Sequence, residues 1–235
     1  MADQKNIRLT LKDVRGSFLH LIKPQERKND DDKLTGYVFN GNFLVPKEVG
    51  GAKNPVAEEI AAAMKKAIEA RWPGQNKKIP STERCFVDGE PKDEDSGERE
   101  PLYEGYEGMY VLKASNGVSI EDWEEEKKNP VQLLGPRKGA DGKFPRLKGS
   151  AAEELFYSGA FYDIVVSIWA YDGSKKNHKN RVSCTLEVVK FKRHGDAFGA
   201  GQVNAEDYLD EEDDDGLDDV DTSSGSVTED DDLLA

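Results

Sequence analysis

The chain has 235 residues, enough for one domain of ordinary size with additions, and a formal net charge of −14 from 47 acidic and 33 basic residues. Fifteen of the acids lie in 206–235, where there is no Lys or Arg, and the remaining 32 acidic and 33 basic residues give positions 1–205 a formal charge of +1. The overall charge therefore does not exclude a polyanionic partner for the body, and no stretch approaches the roughly 18 apolar residues of a membrane-spanning helix.

The first twelve residues, MADQKNIRLTLK, carry no apolar leader segment, and the expectation is a soluble intracellular protein. Cys85 and Cys184 form neither a CxxC pair nor a disulfide framework, which suggests core thiols in a reducing cytosol.

Ile7, Leu9 and Leu11 alternate with Arg8, Thr10 and Lys12, the period-2 pattern of a half-buried strand with a basic outer face. Phe18 to Ile22 continues the sheet, and KPQERKNDDDK after it reads as a polar loop. Thr35 to Val45 is aromatic and β-branched enough for a second long strand, with Gly41 marking a bulge or bend.

Asn54 and Pro55 then open a helix, as N-cap and N1, with Glu58 and Glu59 complementing its dipole. Val56, Ile60, Met64, Ile68 and Trp72, with Ala63 and Ala67, form the stripe that packs on the sheet, and Pro73-Gly74 ends the run.

Residues 75–104 read as a surface excursion around a short strand at Cys85 to Val87. Gly108 to Ala114 is a further strand, and Glu121 to Lys128 a charged turn. In Ala160 to Tyr171, the residues Tyr162, Ile164, Val166, Ile168 and Ala170 make the apolar face. Phe161, Asp163, Val165, Ser167, Trp169 and Tyr171 lie on the other side. Arg181 to Lys192 turns Val182, Cys184, Leu186 and Val188 inward, with a bulge at Val188-Val189 before Phe191; the two strands form a hairpin with a basic loop.

The fold class expected from the pattern is mainly β: a small closed or nearly closed antiparallel barrel with one inserted amphipathic helix and long loops, the architecture that the resemblance given below makes OB-fold-like. It occupies 1–204, with a disordered acidic tail at 205–235 whose composition cannot offset its ordering entropy.

Catalytic signatures are missing. His20, His178 and His194 lack metal-ligand spacing, and GYEG at 105–108 and GPRKG at 135–139 lack the Lys-Ser/Thr of a phosphate loop. The expectation is a non-enzyme without cofactor or metal, although abundant carboxylates leave a nuclease-like acidic cluster open.

Nucleic-acid binding has more support. Gly135 to Gly149 contains Arg137, Lys138, Lys143, Arg146 and Lys148 around Phe144, and the hairpin loop adds Lys175, Lys176, Lys179 and Arg181. Lys190, Lys192 and Arg193 are expected at the same pole as that hairpin loop. Such cations supply the salt-dependent phosphate contribution to affinity. Phe161, Trp169 and Tyr171, joined by Tyr110 and Phe144, are the aromatics on which unpaired bases would stack. The alternative for each is packing beneath a loop or in an interface between copies. A polyanionic tail can compete with phosphate for such a basic groove.

The order of the IRLTL strand, the helix NPVAEEIAAAMKKAIEARW, the FVDGE and EGYEGMYVLKAS segments and the hairpin YSGAFYDIVVSIWAYDGSKKNHKNRVSCTLEVVKF resembles a tailed-bacteriophage family once known only as a domain of unknown function. Its members are similar to phage single-stranded-DNA-binding proteins, with an OB-type barrel and an acidic C-terminus, and the likeness covers about residues 5–200. The resemblance implies coating and protection of single strands in phage replication, recombination and repair, in the cytoplasm of the bacterial host. Phage or host replication proteins would bind the tail. Many such tails end in an aromatic residue, whereas this one ends DDDLLA. Asp230, Asp231 and Asp232 with Leu233 and Leu234 are therefore the expected docking tip.

Two other readings stand beside this one: a strand-annealing recombination protein, and an acidic protein-interaction or chaperone-like module that does not bind DNA. Weaker binding of duplex DNA and association between copies of the chain are left open.

Overall fold

A computed structural model of the chain describes residues 6–92, 97–174 and 179–198. The chain divides into two units, 1–199 and 200–235, and the described residues all belong to the first. The expected boundary at 204/205 and the expected disorder of the tail lie outside the described residues.

The elements in chain order are β1 (Ile7–Lys28), β2 (Leu34–Pro46), β3 (Glu48–Val49), β4 (Ala52–Lys53), α1 (Pro55–Arg71), a 3-10 turn at Ser81–Glu83, β5 (Phe86–Asp88), β6 (Met109–Val118), α2 (Ile120–Glu124), β7 (Gln132–Leu134), α3 (Ser150–Glu153), β8 (Phe161–Tyr171) and β9 (Arg181–Arg193). Five of the strands close a barrel. β1 pairs antiparallel with β2 and β8, β2 with β6, and β8 with β9; a parallel bridge between Ser115 and Thr185 joins β6 to β9. The closing pair is parallel, as is β7 on β9, so the barrel is not antiparallel throughout. This is the five-stranded OB-fold, with β1, β2, β6, β8 and β9 as its first to fifth strands.

Alternation explains the interior. Leu9, Leu11, Phe39, Phe43, Leu112, Ala114, Tyr162, Ile164, Val166, Ile168, Val182, Cys184 and Leu186 are all buried in one cluster, each on the inner face of its strand. α1 packs chiefly on β8 and also touches β1, β2 and β9, adding Ala57, Ile60, Ala63, Met64 and Ala67 to that cluster. Asn54 caps it by accepting a hydrogen bond from the Val56 amide at 2.9 Å, a contact worth about 1 kcal/mol. Cys85 and Cys184 are buried free thiols.

Three local differences from the sequence expectation have physical reasons. Residues 23–28 are strand, not loop: they pair with β2 from Gln25↔Val38 to Lys28↔Leu34 as an exposed ribbon, which needs no apolar face. The irregularity assigned to Gly41 belongs to β1, where Phe18 and Leu19 stand opposite it between the pairs Ser17↔Asn42 and His20↔Asn40. A Cβ on Gly41 would lie 2.6 Å from Leu19 Cδ2, so the glycine admits Leu19. Phe18 is left at φ 49°, a left-handed conformation that costs a side-chain-bearing residue on the order of 1 kcal/mol.

The bulge in β9 falls at Glu187, since Val165 pairs with Val188 and Val166 with Leu186. Val189 therefore faces the core in place of Val188.

Candidate nucleic-acid interface

Because side chains alternate, every inward residue of the barrel leaves an outward neighbour, and pairing register aligns those neighbours into rows across the strands. One row runs Arg8, Ser167, Thr185, Ser115, Asn40, His20 through the pairs that link β1, β8, β9, β6, β2 and β1 again. The adjacent row contains Trp169 opposite Ser183 and Lys113 opposite Asn42. In an OB-fold the face of the second and third strands, flanked by the first and last hairpin loops, is the usual oligonucleotide surface. Here those strands are β2 and β6.

At the β8–β9 turn, Arg181 lies over the Tyr171 ring at 4.9 Å, and Trp169 packs edge-on to Tyr171 at 6.3 Å. The Trp169 indole N–H donates to Thr185 Oγ1 at 3.0 Å, which fixes the ring on the outer face with part of its surface open. Beside them a shallow groove of about 280 Å³ is lined by Arg84, Lys113, Ser115, Arg181 and Ser183. The Arg84 guanidinium is held by the Ile79 carbonyl, and Lys179 reaches Glu83 at 3.5 Å. Lys175 and Lys176 lie outside the described residues.

At the other end of the same strands, Phe144 sits between two cations, with Lys190 4.7 Å and Lys138 5.6 Å from its centroid. Lys190 and Lys192 reach Asp163 at 2.7 and 3.6 Å. Burial would raise the Asp163 pKa, but hydrogen bonds from Lys190 and the Asp13 amide, with the charges of both lysines, outweigh it and hold the carboxyl below its ordinary value. Phe161 is capped by Arg193 at 3.3 Å, with Arg15 on it at 5.9 Å, and Arg193 in turn pairs with Asp13 at 3.0 Å.

The expected residues are thus brought together in two groups rather than one. Trp169, Tyr171, Lys179 and Arg181 mark the hairpin end, whereas Phe144, Lys138, Phe161, Lys190, Lys192 and Arg193 mark the opposite end, about 30 to 40 Å along β9 at ~3.3 Å per residue. The expectation that Lys190, Lys192 and Arg193 share the hairpin pole is corrected: β7 pairs parallel with β9 at Leu134↔Lys190 and delivers the 135–149 loop to the far end.

Arg137, Lys143, Arg146 and Lys148 are exposed on that loop, and Lys12 is exposed on β1. Arg8 is paired with Glu187 at 3.0 Å. Tyr110 stands apart, packed on Phe86 at 5.1 Å beside the main core.

Sequence reasoning passed over Lys113 and Ser115, although they are the polar partners of Leu112 and Ala114 in a period-2 run. It also passed over Phe18 and Tyr103, whose only sequence signal is an aromatic at a break in alternation and another within a polar stretch. Among the described residues no group of three or more His, Cys, Asp or Glu side chains is placed to hold a metal ion. No described helix is long and apolar enough to cross a membrane.

A closed five-stranded barrel with aromatic and basic side chains on its outer face defines an OB-fold protein. The chain belongs to the family described as Enterobacter phage Enc34, ssDNA-binding protein, whose pattern matches residues 7–218. It is 27% identical to protein p50 of Acyrthosiphon pisum secondary endosymbiont phage 1, over 87% of this chain and 94% of that one. Its fold is similar to that of the single-stranded DNA-binding protein from bacteriophage Enc34 in complex with ssDNA. That match has TM-score 0.58 and 18% identity and covers 82% of this chain and 89% of the other. A second structure of the single-stranded DNA-binding protein from bacteriophage Enc34 gives TM-score 0.56 at 19% identity, covering 86% of this chain and 90% of the other.

Proposed function

We propose that this chain binds single-stranded DNA stoichiometrically and without sequence readout, coating and protecting it during phage replication, recombination and repair in the cytoplasm of the bacterial host. Half-exposed rings on the barrel face stack bases, and Lys and Arg side chains track phosphates; neither role calls for catalysis or a cofactor. Family membership supports the reading. The observation that carries it is the meeting of Trp169 and Tyr171 with Arg181, Ser183 and Lys113 on one continuous outer surface of β8, β9 and β6.

The exposed cations of the 135–149 loop and the exposed Lys179 beside the β8–β9 turn extend that surface at its two ends. Residues 206–235 act as a tethered polyanion that competes with DNA at low salt, and the DDDLLA terminus recruits replication proteins.

Nuclease protection tests the reading. The chain should shield oligo-dT and mixed-sequence single strands alike, at a fixed number of nucleotides per protein, and shield duplex less. Protection of neither single strand would sink it and favour a protein-interaction module. An annealing-rate assay separates coating from strand annealing: a coating protein leaves the pairing rate of complements unchanged or slower.

A further inference from the structure

We propose that Phe18 and Tyr103 form a base-stacking notch, a second site for an unpaired nucleobase of single-stranded DNA, on the side of the barrel face away from Trp169. The proposal rests on the single-strand reading above and adds a subsite to it.

Among the described residues, the exposed large apolar side chains are Phe18 (48%), Val49, Leu102 and Tyr103 (53%). The two aromatic members touch, with ring centroids 4.6 Å apart and planes at 61°, and this edge-on arrangement leaves an open corner between two π-faces. Neither ring belongs to either hydrophobic cluster, whereas Leu19, next to Phe18, packs on the main one.

The notch is built rather than incidental. Phe18 projects because β1 bulges there, and bulges re-aim side chains next to functional sites. Its φ of 49° is a conformation in which glycine would be unstrained, yet the position carries a large ring that stays half-exposed. Tyr103 is propped at 5.3 Å by Tyr106, which is fully buried. The Tyr106 hydroxyl donates to Ser17 Oγ at 3.2 Å and accepts from Asn42 Nδ2 at 3.0 Å, pinning the loop to β1 and β2. Lys47 joins Asp88 and Glu90 at 2.6 and 2.8 Å, and Glu90 accepts from the Gly108 amide, so both ends of the segment carrying Tyr103 are tied down.

The surroundings suit a nucleobase better than a protein side chain. Exposed or half-buried Asn40, Gln25 and His20 form a hydrogen-bonded chain on the same outer face, offering donors and acceptors to a polar ligand edge. The notch is also continuous with the proposed DNA path. From β1 to β8 the row His20–Asn40–Ser115–Thr185, with Asn42 and Lys113 beside it, crosses four strand spacings of ~4.8 Å, roughly 19 Å of polar surface ending at the Trp169 indole.

Fluorescence anisotropy of labelled oligo-dT with the full chain tests the site through Phe18→Gly and Tyr103→Ala. Each should weaken binding about tenfold, within the range found for loss of one base–aromatic stack. Phe18→Gly should nevertheless melt no lower than wild type, because glycine relieves the backbone. Phe18→Trp should bind like wild type and add tryptophan emission that is quenched by the oligonucleotide. Affinities within twofold of wild type for both ring deletions would overturn the notch, as would a dimer in sedimentation that Phe18→Gly dissociates without any change in DNA affinity. Lys113→Glu measured alongside separates the subsite from the single-strand reading. If it weakens binding while the ring deletions do not, the single-strand reading stands and the notch alone is wrong; if wild type binds no oligo-dT, both fall.

Discussion

The Lys190 ammonium lies 2.7 Å from Asp163 Oδ2 while standing 4.7 Å over the ring of Phe144, so one cation ties the 135–149 loop to the barrel and is held by an acid at the same time. Lys192 shares that acid at 3.6 Å, and the Asp13 amide donates to it at 3.1 Å. Much of the positive charge that the sequence places on β9 is therefore neutralised in the folded chain. The same holds for Arg8, which faces Glu187.

Replacing Asp163 with Asn should free Lys190 and Lys192 for phosphate. Oligo-dT affinity at low salt should rise several-fold, and the slope of log K against log salt should steepen by about 0.7 for each additional phosphate that a lysine neutralises on a single strand. Chemical denaturation should show a loss of about 1–2 kcal/mol from the broken charge-assisted bonds. A variant that is destabilised but has an unchanged salt slope would place these lysines outside the DNA path.

Asp88 and Asp163 set an acid limit on the fold. Burial alone would raise the Asp88 pKa, but hydrogen bonds from Lys47, the Glu90 amide and Arg99 prevail and hold it below its ordinary value. A carboxyl lowered in the folded state adds stability that is complete above its unfolded pKa near 4 and is lost as pH falls through the lower folded value. Unfolding free energy should thus be insensitive to these two groups from pH 5 to 8 and should fall below about pH 4. Asp88→Asn should weaken that acid-side dependence, as read by urea titration across pH.

The apolar face of β8 was legible because both its faces obey one period: Tyr162, Ile164, Val166, Ile168 and Ala170 are all buried, as their spacing requires. The α1 cap was legible from Asn54-Pro55 alone. Residues 23–28 were not, since β1 runs there as an exposed edge that buries neither face and carries no alternation. Nor was the neighbourhood of Lys190 and Lys192, although the hairpin itself sets them far from its turn. Their strand could be read from the sequence, but the return of the 135–149 loop to that end depends on the β7–β9 pairing, a contact between segments more than fifty residues apart. Phe18 was hidden for a related reason: a bulge breaks the very period by which an outward residue is recognised.

Trp169→Ala removes a ring that is anchored by its N–H to Thr185 and half-open on its other side. If that ring stacks on a base, single-strand affinity should drop by about 1–3 kcal/mol with stoichiometry unchanged. A fall in melting temperature with folded-state affinity intact would instead assign Trp169 to packing against Tyr171.

Removing residues 205–235 tests the proposed competition by the tail. The segment 206–235 holds fifteen acids and no base. Covalent attachment keeps such a segment at an effective concentration on the order of mM, so even a weak contact competes with DNA, and salt screens it. The shortened chain should bind oligo-dT and duplex more tightly than the full chain at low ionic strength, with the difference shrinking as salt rises. Equal affinities at low salt would leave the tail a docking or solubility role only.

The most direct measurement is oligo-dT affinity across a salt series for the full chain and for the double variant Lys113→Glu, Arg181→Glu, two cations that line one groove beside Trp169 and Tyr171. Wild type should bind with a linear, negative dependence of log K on log salt. The double variant should bind more weakly at every salt concentration, with a slope shallower by about 1.4 if each cation contacts one phosphate. Equal affinity and an equal slope for both proteins would contradict the account, because the DNA would then lie on a face of the barrel that these residues do not touch.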